Sequence, residues 1–253
     1  MEMDQDRRFG GVARLYGEAG ANKLRAAHVA IVGIGGVGSW TVEALARTGV
    51  GTLTLIDLDM VAESNTNRQI HALGDIYGKA KVDAMAERVR AINPACVVHC
   101  IEDFVTPENA SEMIDNRFTV VVDAIDQVRA KVAMIAHCRR LRLPIVVAGA
   151  AGGQLDPTQI KLADLSQTIQ DPLLAKVRSR LRKECGFPSG GKKFGVSAVF
   201  STEALRYPDK GASCDAAPSP TGLNCAGFGS GVCVTSVFGM VAAARAIELI
   251  IKS

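Results

Sequence analysis

The chain has 253 residues, of which 48% are hydrophobic and 22% are charged, and its net charge is +3 at pH 7. These values are ordinary for a soluble globular enzyme and predict one large domain, or a domain with a long insertion, that has a sizeable core. The net charge is too small to indicate a polyanionic partner, for which local clusters of charge matter more. The seven cysteines form no C-x-x-C pair, which argues against a four-thiolate zinc site. No signal peptide is visible, so we expect reduced cysteines and a cytoplasmic protein.

Apolar strands and helices alternate along the first part of the chain and return at its end. Strands are predicted at residues 28–32, 52–56, 97–101, 119–122 and 145–148. Helices are predicted at residues 39–48, 79–93, 127–141 and 232–251. This order predicts an α/β fold with a Rossmann-like, mostly parallel sheet that has helices on both faces.

The first strand runs into a glycine-rich turn. Its glycines are Gly33, Gly35, Gly36 and Gly38, and a helix follows. Glycines at this spacing let a strand turn tightly and let backbone amides approach an anion, while the helix N-terminus adds partial positive charge. Asp57 ends the second strand about twenty residues further on, where a ribose hydroxyl needs an acceptor. The pattern predicts an adenine-nucleotide site.

Further polar residues follow the strands, at the sheet edge where ligands of such folds bind. The set consists of Asp59, Asn65, Asn67, Arg68, Gln69, Lys81, Asp123 and Asp126. Amide, guanidinium and ammonium donors around a triphosphate stabilise the charge that develops during nucleotidyl transfer. Asp126 is the candidate ligand for Mg²⁺, which bridges phosphates and neutralises a leaving pyrophosphate. A hydride-transfer site has no use for this set, so it argues against a NAD-dependent oxidoreductase.

The motifs GxGGVGS, DxD, SNxNRQ and DAID, with Lys81, resemble the adenylating fold of ubiquitin-activating enzymes and their bacterial relatives. The resemblance covers residues 8–149 and the final helix, and it implies a homodimer that uses ATP to activate a carboxylate. It implies that Asp57 binds the ribose and that Asp126 binds the metal, while Asp123 shapes the same loop. The phosphate ligands that it implies are Asn65, Arg68, Gln69 and Lys81.

Many of these relatives carry an arginine near the N-terminus that reaches the ATP of the partner protomer. Gly11 stands at or near that place in this chain, with Arg8 and Arg14 as nearby substitutes. The source of such an arginine stays open.

Three other stretches narrow the resemblance. The bacterial sulfur-carrier activators usually have two C-x-x-C zinc pairs, which this chain lacks. RRFGGVARLYG (7–17), FSTE (200–203) and NCAGFGS (224–230) instead resemble the tRNA threonylcarbamoyladenosine dehydratases. That family is implied to adenylate the carboxylate of threonylcarbamoyladenosine in tRNA, which then cyclises with release of AMP and net loss of water. A cysteine desulfurase or sulfur acceptor is a further expected partner. The alternative function is an adenylating activator of a small sulfur-carrier protein, and a sulfur-relay adaptor that merely binds nucleotide is a third.

Cys225 is the fourth candidate catalytic residue, with Arg68, Lys81 and Asp126. It lies in a glycine-rich loop and matches the family's cysteine. A thiolate there captures the acyl adenylate as a thioester, whereas a packed small residue has no chemical role, and direct cyclisation needs no thiol. Both interpretations stay open.

We expect a single adenylating domain over residues 1–253, with a nucleotide-binding core at 1–150 and a substrate-side extension at 151–253. The extension is expected to contain strands at 161–165 and 194–200, a mobile loop at about 207–224 and the closing helix. The uncharged stretch 223–244 is long enough to span a membrane, but its glycines favour a loop that enters a buried helix. The basic helical stretch 173–183 fits either tRNA phosphates or a solvated helix face.

Overall fold

The residues that the structure describes are built on one seven-stranded sheet. The structure is a computed structural model that describes residues 5–207 and 228–253. The strands are β1 (His28–Val32), β2 (Thr52–Ile56), β3 (Val97–Ile101), β4 (Val120–Asp123), β5 (Ile145–Ala148), β6 (Ile160–Asp164) and β7 (Ser197–Ser201). Their order across the sheet is β3-β2-β1-β4-β5-β7-β6. All neighbours are parallel except β6 and β7, which confirms the predicted mostly parallel sheet.

Helices cover both faces of the sheet. They are α1 (Gln5–Ala26), α2 (Gly38–Arg47), α3 (Lys81–Ile92), α4 (Ala110–Met113), α5 (Val128–Leu141), α6 (Pro172–Cys185) and α7 (Val232–Lys252). Helices α1, α2, α3 and α7 share one core cluster with the sheet, and α4, α5 and α6 share the other. The crossover helices α2 and α3 therefore cover one face, and the later ones, α4, α5 and α6, cover the other, as expected for a doubly wound sheet whose strand order reverses between β1 and β4.

The sequence pattern did not predict helix α1. Its residues include Gly10, Gly11, Gly17 and Gly20, which interrupt the apolar pattern that predicts a helix. Gly17 has φ 76° and ψ 160°, so the backbone leaves the helical conformation there. Two helical pieces joined at this glycine replace the single regular helix that a periodic pattern would indicate.

Helix α7 is long and apolar enough to cross a membrane by length and composition, although half of its most apolar stretch is buried. Val234, Phe238, Ala242, Ala246 and Ile250 recur every four residues and are all buried. The helix packs against α2, β4, β5 and β7. Its apolar character is thus explained by a core position over the sheet.

The contact between α2 and α7 depends on one glycine. A Cβ at Gly239 would lie 2.5 Å from the Val37 carbonyl oxygen and 2.7 Å from Cβ of Trp40. Thr41 Oγ1 donates to the Gly239 carbonyl oxygen at 3.1 Å across the same contact. The two helix backbones therefore approach too closely for any side chain at this position.

Gly239→Ala is expected to lower the free energy of unfolding by about 1–3 kcal/mol, because overpacking forces the helices apart. Gly11→Ala is the matched control, since its Cβ would meet only the flexible end of Arg14, at 3.8 Å. There the substitution is expected to be neutral or to stabilise helix α1 by up to about 1 kcal/mol. Chemical denaturation measures both, and equal stability of the two variants would contradict the packing argument.

Candidate nucleotide-binding site

A cavity of about 610 Å³ opens at the carboxyl ends of the parallel strands. Residues that follow β1, β2, β3, β4 and β5 all contribute to its lining. The strand order reverses between β1 and β4, and ligands of doubly wound sheets bind at such a point. The volume lies within the range of small-molecule sites, roughly 300–1,000 Å³.

The glycines of the turn after β1 have different tasks. Gly33 has φ +88°, and a Cβ there would lie 2.9 Å from Cγ2 of Ile125. A Cβ at Gly38 would lie 1.7 Å from the Gly33 carbonyl oxygen, so Gly38 closes the turn without lining the cavity. Gly35 and Gly36 line the cavity, and a Cβ at Gly35 would meet nothing closer than Nε2 of Gln69, at 4.0 Å. Gly35 thus leaves backbone open to a ligand.

Asp57 forms one wall of the cavity and is buried. Its Oδ2 accepts from the Ile34 backbone N–H at 2.6 Å, and its Oδ1 accepts from the Asp59 N–H at 2.9 Å. Burial raises the pKa of the Asp57 carboxyl, while the Lys81 charge and the two N–H groups oppose that rise. The carboxylate therefore fixes the glycine-rich turn and stays available as an acceptor beside it.

Lys81 is buried at the start of α3 and lines the cavity. Its Nζ donates to Oδ2 of Asp59 at 2.7 Å, and its backbone N–H donates to the Asp59 carbonyl oxygen at 3.0 Å. Asp59 also lines the cavity and keeps more than half of its side chain exposed. The ion pair thus holds a buried ammonium at the cavity wall.

The segment 65–69 supplies three lining residues, Asn65, Arg68 and Gln69. Asn65 Oδ1 accepts from the Ala62 N–H at 3.0 Å, which shapes the turn. Arg68 Nη1 donates to the Ser64 carbonyl oxygen at 2.8 Å, and burial lowers the pKa of the guanidinium, which stays charged. Gln69 is buried, and its Oε1 has no hydrogen-bond partner among the described residues. Gln69 is therefore a cavity-lining residue whose carbonyl oxygen keeps hydrogen-bonding capacity that the described residues do not use.

Asn67, a predicted cofactor-binding residue, lies outside the cavity lining but next to it. Its Nδ2 donates to the Ser230 carbonyl oxygen at 2.8 Å, and its Oδ1 accepts from Arg68 at 2.9 Å. Asn67 therefore ties the segment before α7 to Arg68, and both of its partners line the cavity.

Asp123, another predicted cofactor-binding residue, also lies outside the cavity lining. Its side chain is fully buried and does not reach the cavity surface. Its Oδ1 accepts from Nζ of Lys131 at 2.8 Å and from the Ile125 N–H at 3.2 Å. Burial raises the pKa of the Asp123 carboxyl, and the Lys131 ammonium opposes that rise. The pair shapes the loop 124–126, as the family resemblance implied.

Asp126 lines the cavity at the end of that loop. Within residues 5–207 and 228–253, no group of three His, Cys, Asp or Glu side chains is arranged to hold a metal ion. Mg²⁺ is commonly held by one or two carboxylates together with substrate phosphates and water, so one carboxylate facing a phosphate site is sufficient. The carboxylate oxygens of Asp126 are therefore suitable ligands for the Mg²⁺ expected from the sequence.

Sequence reasoning missed many of the residues that line the cavity. They are Asp103, Phe104, Val105, Gln127, Gly149, Ala150, Ala151, Gly152, Pro172, Leu205, Phe228, Ser230 and Thr235. Asp171 orders part of this lining, because its Oδ2 accepts from the Ala150 N–H and its Oδ1 from the Leu174 N–H, both at 2.9 Å. The Asp171–Pro172 helix start was a usable signal.

Cys225 and the tract 208–224 of the predicted loop lie outside the described residues. The chain on either side of them meets at the cavity: the rings of Tyr207 and Phe228 are 5.0 Å apart, and the Gly153 N–H donates to the Gly229 carbonyl oxygen at 2.8 Å. Phe228, three residues after Cys225, lines the cavity.

A doubly wound sheet with a glycine-rich turn and a cavity ringed by polar donors defines a nucleotide-binding α/β protein. The family model described as ThiF family matches residues 9–253, and the chain belongs to this family. This confirms the adenylating family inferred from the motifs.

Two curated proteins and a crystal structure are similar to this chain over nearly its whole length. The tRNA threonylcarbamoyladenosine dehydratase of Escherichia coli K12 is 53% identical over 247 residues, which are 95% of this chain and 92% of that protein. The enzyme of the same name from Haemophilus influenzae is 49% identical, over 98% of this chain and 94% of that protein. A crystal structure of the E. coli dehydratase in complex with ATP has 49% identity and a TM-score of 0.89, and it covers 100% of this chain and 98% of that one.

His71 is a buried histidine just behind the segment 65–69. Neither ring nitrogen has a hydrogen-bond partner among the described residues. Burial and the charges of Lys81 and Arg88 lower its pKa to about 4. The folded protein therefore keeps the ring neutral at pH values where an unfolded chain, with an ordinary histidine pKa near 6.5, binds a proton.

His71 is expected to make the protein lose stability as the pH falls from about 6.5 to about 4, by up to about 3 kcal/mol, because only the unfolded state takes up this proton in that range. Above pH 6.5 the effect disappears. Denaturation curves measured across this pH range give the free energy of unfolding at each pH. The free energy of unfolding should depend less steeply on pH in His71→Leu than in the wild type. His99→Leu, at an exposed position, is the control, and an unchanged slope in His71→Leu would contradict the assignment.

Proposed function

We propose that this chain is an ATP-dependent enzyme that adenylates the carboxylate of threonylcarbamoyladenosine in tRNA and converts it to the cyclic form with loss of one water. The reaction and substrate come from the two dehydratases, which are about half identical over almost their entire length. ATP as the cosubstrate is supported by the ATP complex of the E. coli enzyme.

The observation that carries the proposal is one cavity that holds a glycine-rich turn together with a buried carboxylate and cations. In this proposal Asp57 accepts the ribose hydroxyls, and Gly35 leaves its backbone open for phosphates, while Gly36 lines the same cavity next to Arg68 and Thr235. Arg68 and Lys81 are held by Ser64 and Asp59, so their charges are already oriented when ATP arrives. Preorganised cations stabilise the charge that develops when a carboxylate attacks the α-phosphate and pyrophosphate leaves.

The acyl adenylate makes the later ring closure feasible. A carboxylate is a poor electrophile, whereas AMP is a good leaving group on the same carbonyl carbon. A nucleophilic atom of the same side chain then attacks that carbon, AMP departs and a proton is lost, so the balance over both steps is one water. Because the nucleophile is already tethered, proximity supplies much of the acceleration.

Asp126 is the proposed holder of Mg²⁺, together with the phosphates of ATP. The ion supplies neutralisation of the phosphate charge when bound. The loop 124–126, which the Asp123–Lys131 pair fixes, would set the position of the ion.

The proposal also includes a homodimer, a cytoplasmic location and a cysteine desulfurase or sulfur acceptor as a partner. The homodimer and the sulfur partner rest on the motif resemblance over residues 8–149 and 224–230. The cytoplasmic location rests on the proposed substrates, since tRNA and ATP are both used there.

The decisive experiment incubates the protein with ATP, Mg²⁺ and tRNA that bears threonylcarbamoyladenosine, followed by mass spectrometry of the nucleosides. ATP-dependent loss of one water from the modified nucleoside is expected. No change, with ATP–pyrophosphate exchange only when a carrier protein with a Gly-Gly tail is added, would overturn the proposal and favour sulfur-carrier activation.

Asp126→Asn and Arg68→Ala are each expected to lower turnover by about 10²–10³-fold, because each removes charge stabilisation at the phosphates. Asp75→Asn and Arg90→Ala change exposed residues away from the cavity and are the matched controls. Steady-state AMP release measures turnover, and thermal unfolding checks the fold. Wild-type turnover in Asp126→Asn or Arg68→Ala would remove that residue from the site.

Cys225→Ser separates the two interpretations of the cysteine. If ring closure proceeds through a thioester, the variant forms the acyl adenylate, seen as ATP–pyrophosphate exchange, but releases no cyclic product. Cys233→Ser, which changes an exposed cysteine at the start of α7, is the control. Wild-type yield of cyclic tRNA from Cys225→Ser would show that closure is direct.

A further inference from the structure

Basic residues are concentrated in two segments of the chain. Residues 128–142 and 172–195 together contain twelve of the 29 Lys and Arg residues and one of the 26 Asp and Glu residues. The rest of the chain is therefore acidic, although the whole chain carries a net charge of only +3. A chain with so little net charge has no general reason to collect its cations in this way.

The two segments lie on the same face of the sheet. Helix α5 packs against helix α6, and both contribute to the core cluster opposite to that of α1, α2, α3 and α7. We call the solvent side of these two helices and of the loop 186–195 the α5–α6 surface. Its exposed basic residues are Arg129, Arg139, Arg140, Arg142, Lys176, Arg182, Lys183, Lys192 and Lys193.

Two arginines of the α5–α6 surface are held over aromatic rings. The guanidinium of Arg139 lies 4.2 Å from the ring centroid of Phe187, and that of Arg182 lies 5.1 Å from the centroid of Phe194. The two rings are buried and contact each other at 5.0 Å. Arginines stacked in this way lose less conformational freedom when they bind an anion than solvated arginines do.

The charge of this surface is not balanced within it. Glu184, the acidic residue of the two segments, pairs with Arg180 at 2.8 Å. The pKa of Arg178 is lowered by burial and then by the positive charge of Arg182. Basic residues in the last turns of α5 and α6 interact favourably with the helix dipoles. Acidic residues in the first turns would do the same, but neither helix has one there. Stability of the helices alone does not explain the excess.

Both helices begin at the nucleotide cavity. Gln127, the N-cap of α5, and Pro172, the first residue of α6, line it. At 1.5 Å per residue, Lys176 lies about 6 Å and Arg182 about 15 Å along the helix from Pro172. The basic surface therefore continues outward from the place where the substrate is proposed to react.

We propose that the α5–α6 surface binds the phosphates of the tRNA strand that flanks the modified adenosine in the cavity. This inference rests on the proposed function for the choice of RNA over an acidic protein. Phosphate contacts from Lys and Arg position a nucleic acid without reading its sequence. The aromatic rings of the surface are buried beneath arginines, so contact is expected through charge and not through base stacking.

The test compares the double variant Arg139→Gln/Arg182→Gln with Lys23→Gln/Arg90→Gln, which removes the same charge from exposed positions on α1 and α3. Binding of tRNA bearing threonylcarbamoyladenosine is measured by fluorescence anisotropy at several salt concentrations. The KM and kcat for tRNA conversion are measured at saturating ATP. A charge-preserving variant, Arg139→Lys/Arg182→Lys, separates the effect of charge from the effect of packing on the phenylalanines.

In the Gln double variant, Kd and KM for tRNA are expected to rise about ten-fold or more. The salt slope of binding should fall by about one for each phosphate that the variant no longer binds. The kcat and the stabilisation by ATP should stay as in the wild type, because neither arginine lines the cavity. The Lys double variant should keep most of the affinity.

An unchanged affinity of Arg139→Gln/Arg182→Gln for tRNA, or an equal loss of affinity in Lys23→Gln/Arg90→Gln, would overturn the assignment. An acidic protein would then be the better candidate partner of the α5–α6 surface. Binding requires no turnover, so the outcome is readable even when the conversion of tRNA is absent. A wild type that binds tRNA without dehydrating it would refute the proposed reaction and not the surface.

Discussion

The buried ion pair of Asp123 and Lys131 is the interaction on which the site depends. Both side chains are fully buried, one at the end of β4 and the other in α5. Asp123 also accepts from the Ile125 N–H, and Ile125 and Ala124 are the residues that force Gly33 to be a glycine. Leaving one charge of such a pair unpartnered costs about 3–5 kcal/mol, so the loop between them has little freedom.

The consequences of this pair reach both sides of the cavity. On one side, the loop 124–126 sets the position of Asp126 and closes against the turn after β1. On the other side, the charge of Lys131 also acts on the buried carboxyl of Asp171, which holds the Ala150 N–H and begins α6. A single ammonium thus couples the glycine-rich turn, the candidate metal ligand and the first turn of the helix that leads to the basic surface.

The sequence was sufficient for elements whose pattern is local. Apolar runs gave β1, β2, β3 and β5 with their observed bounds, and α2, α3, α5 and α7 within two residues at each end. Helix α1 was missed because its glycines hide the periodicity, and β4 extends one residue further than expected, which takes Asp123 into the strand. Asn67 was grouped with its neighbours because a motif does not say which way each side chain points.

Residue identity and order along the chain determined the fold class, the nucleotide site and the family, since glycine spacing and an acid at a strand end are local requirements of phosphate and ribose binding. The tertiary structure decided which polar residues line the cavity. It buried Asp123 against a lysine from another element and turned Asn67 toward Ser230, while it placed Asp126 and Gln69 on the cavity wall. It also joined two distant basic segments on one face of the sheet. Burial and orientation depend on contacts between residues far apart in sequence, so only the folded chain specifies them.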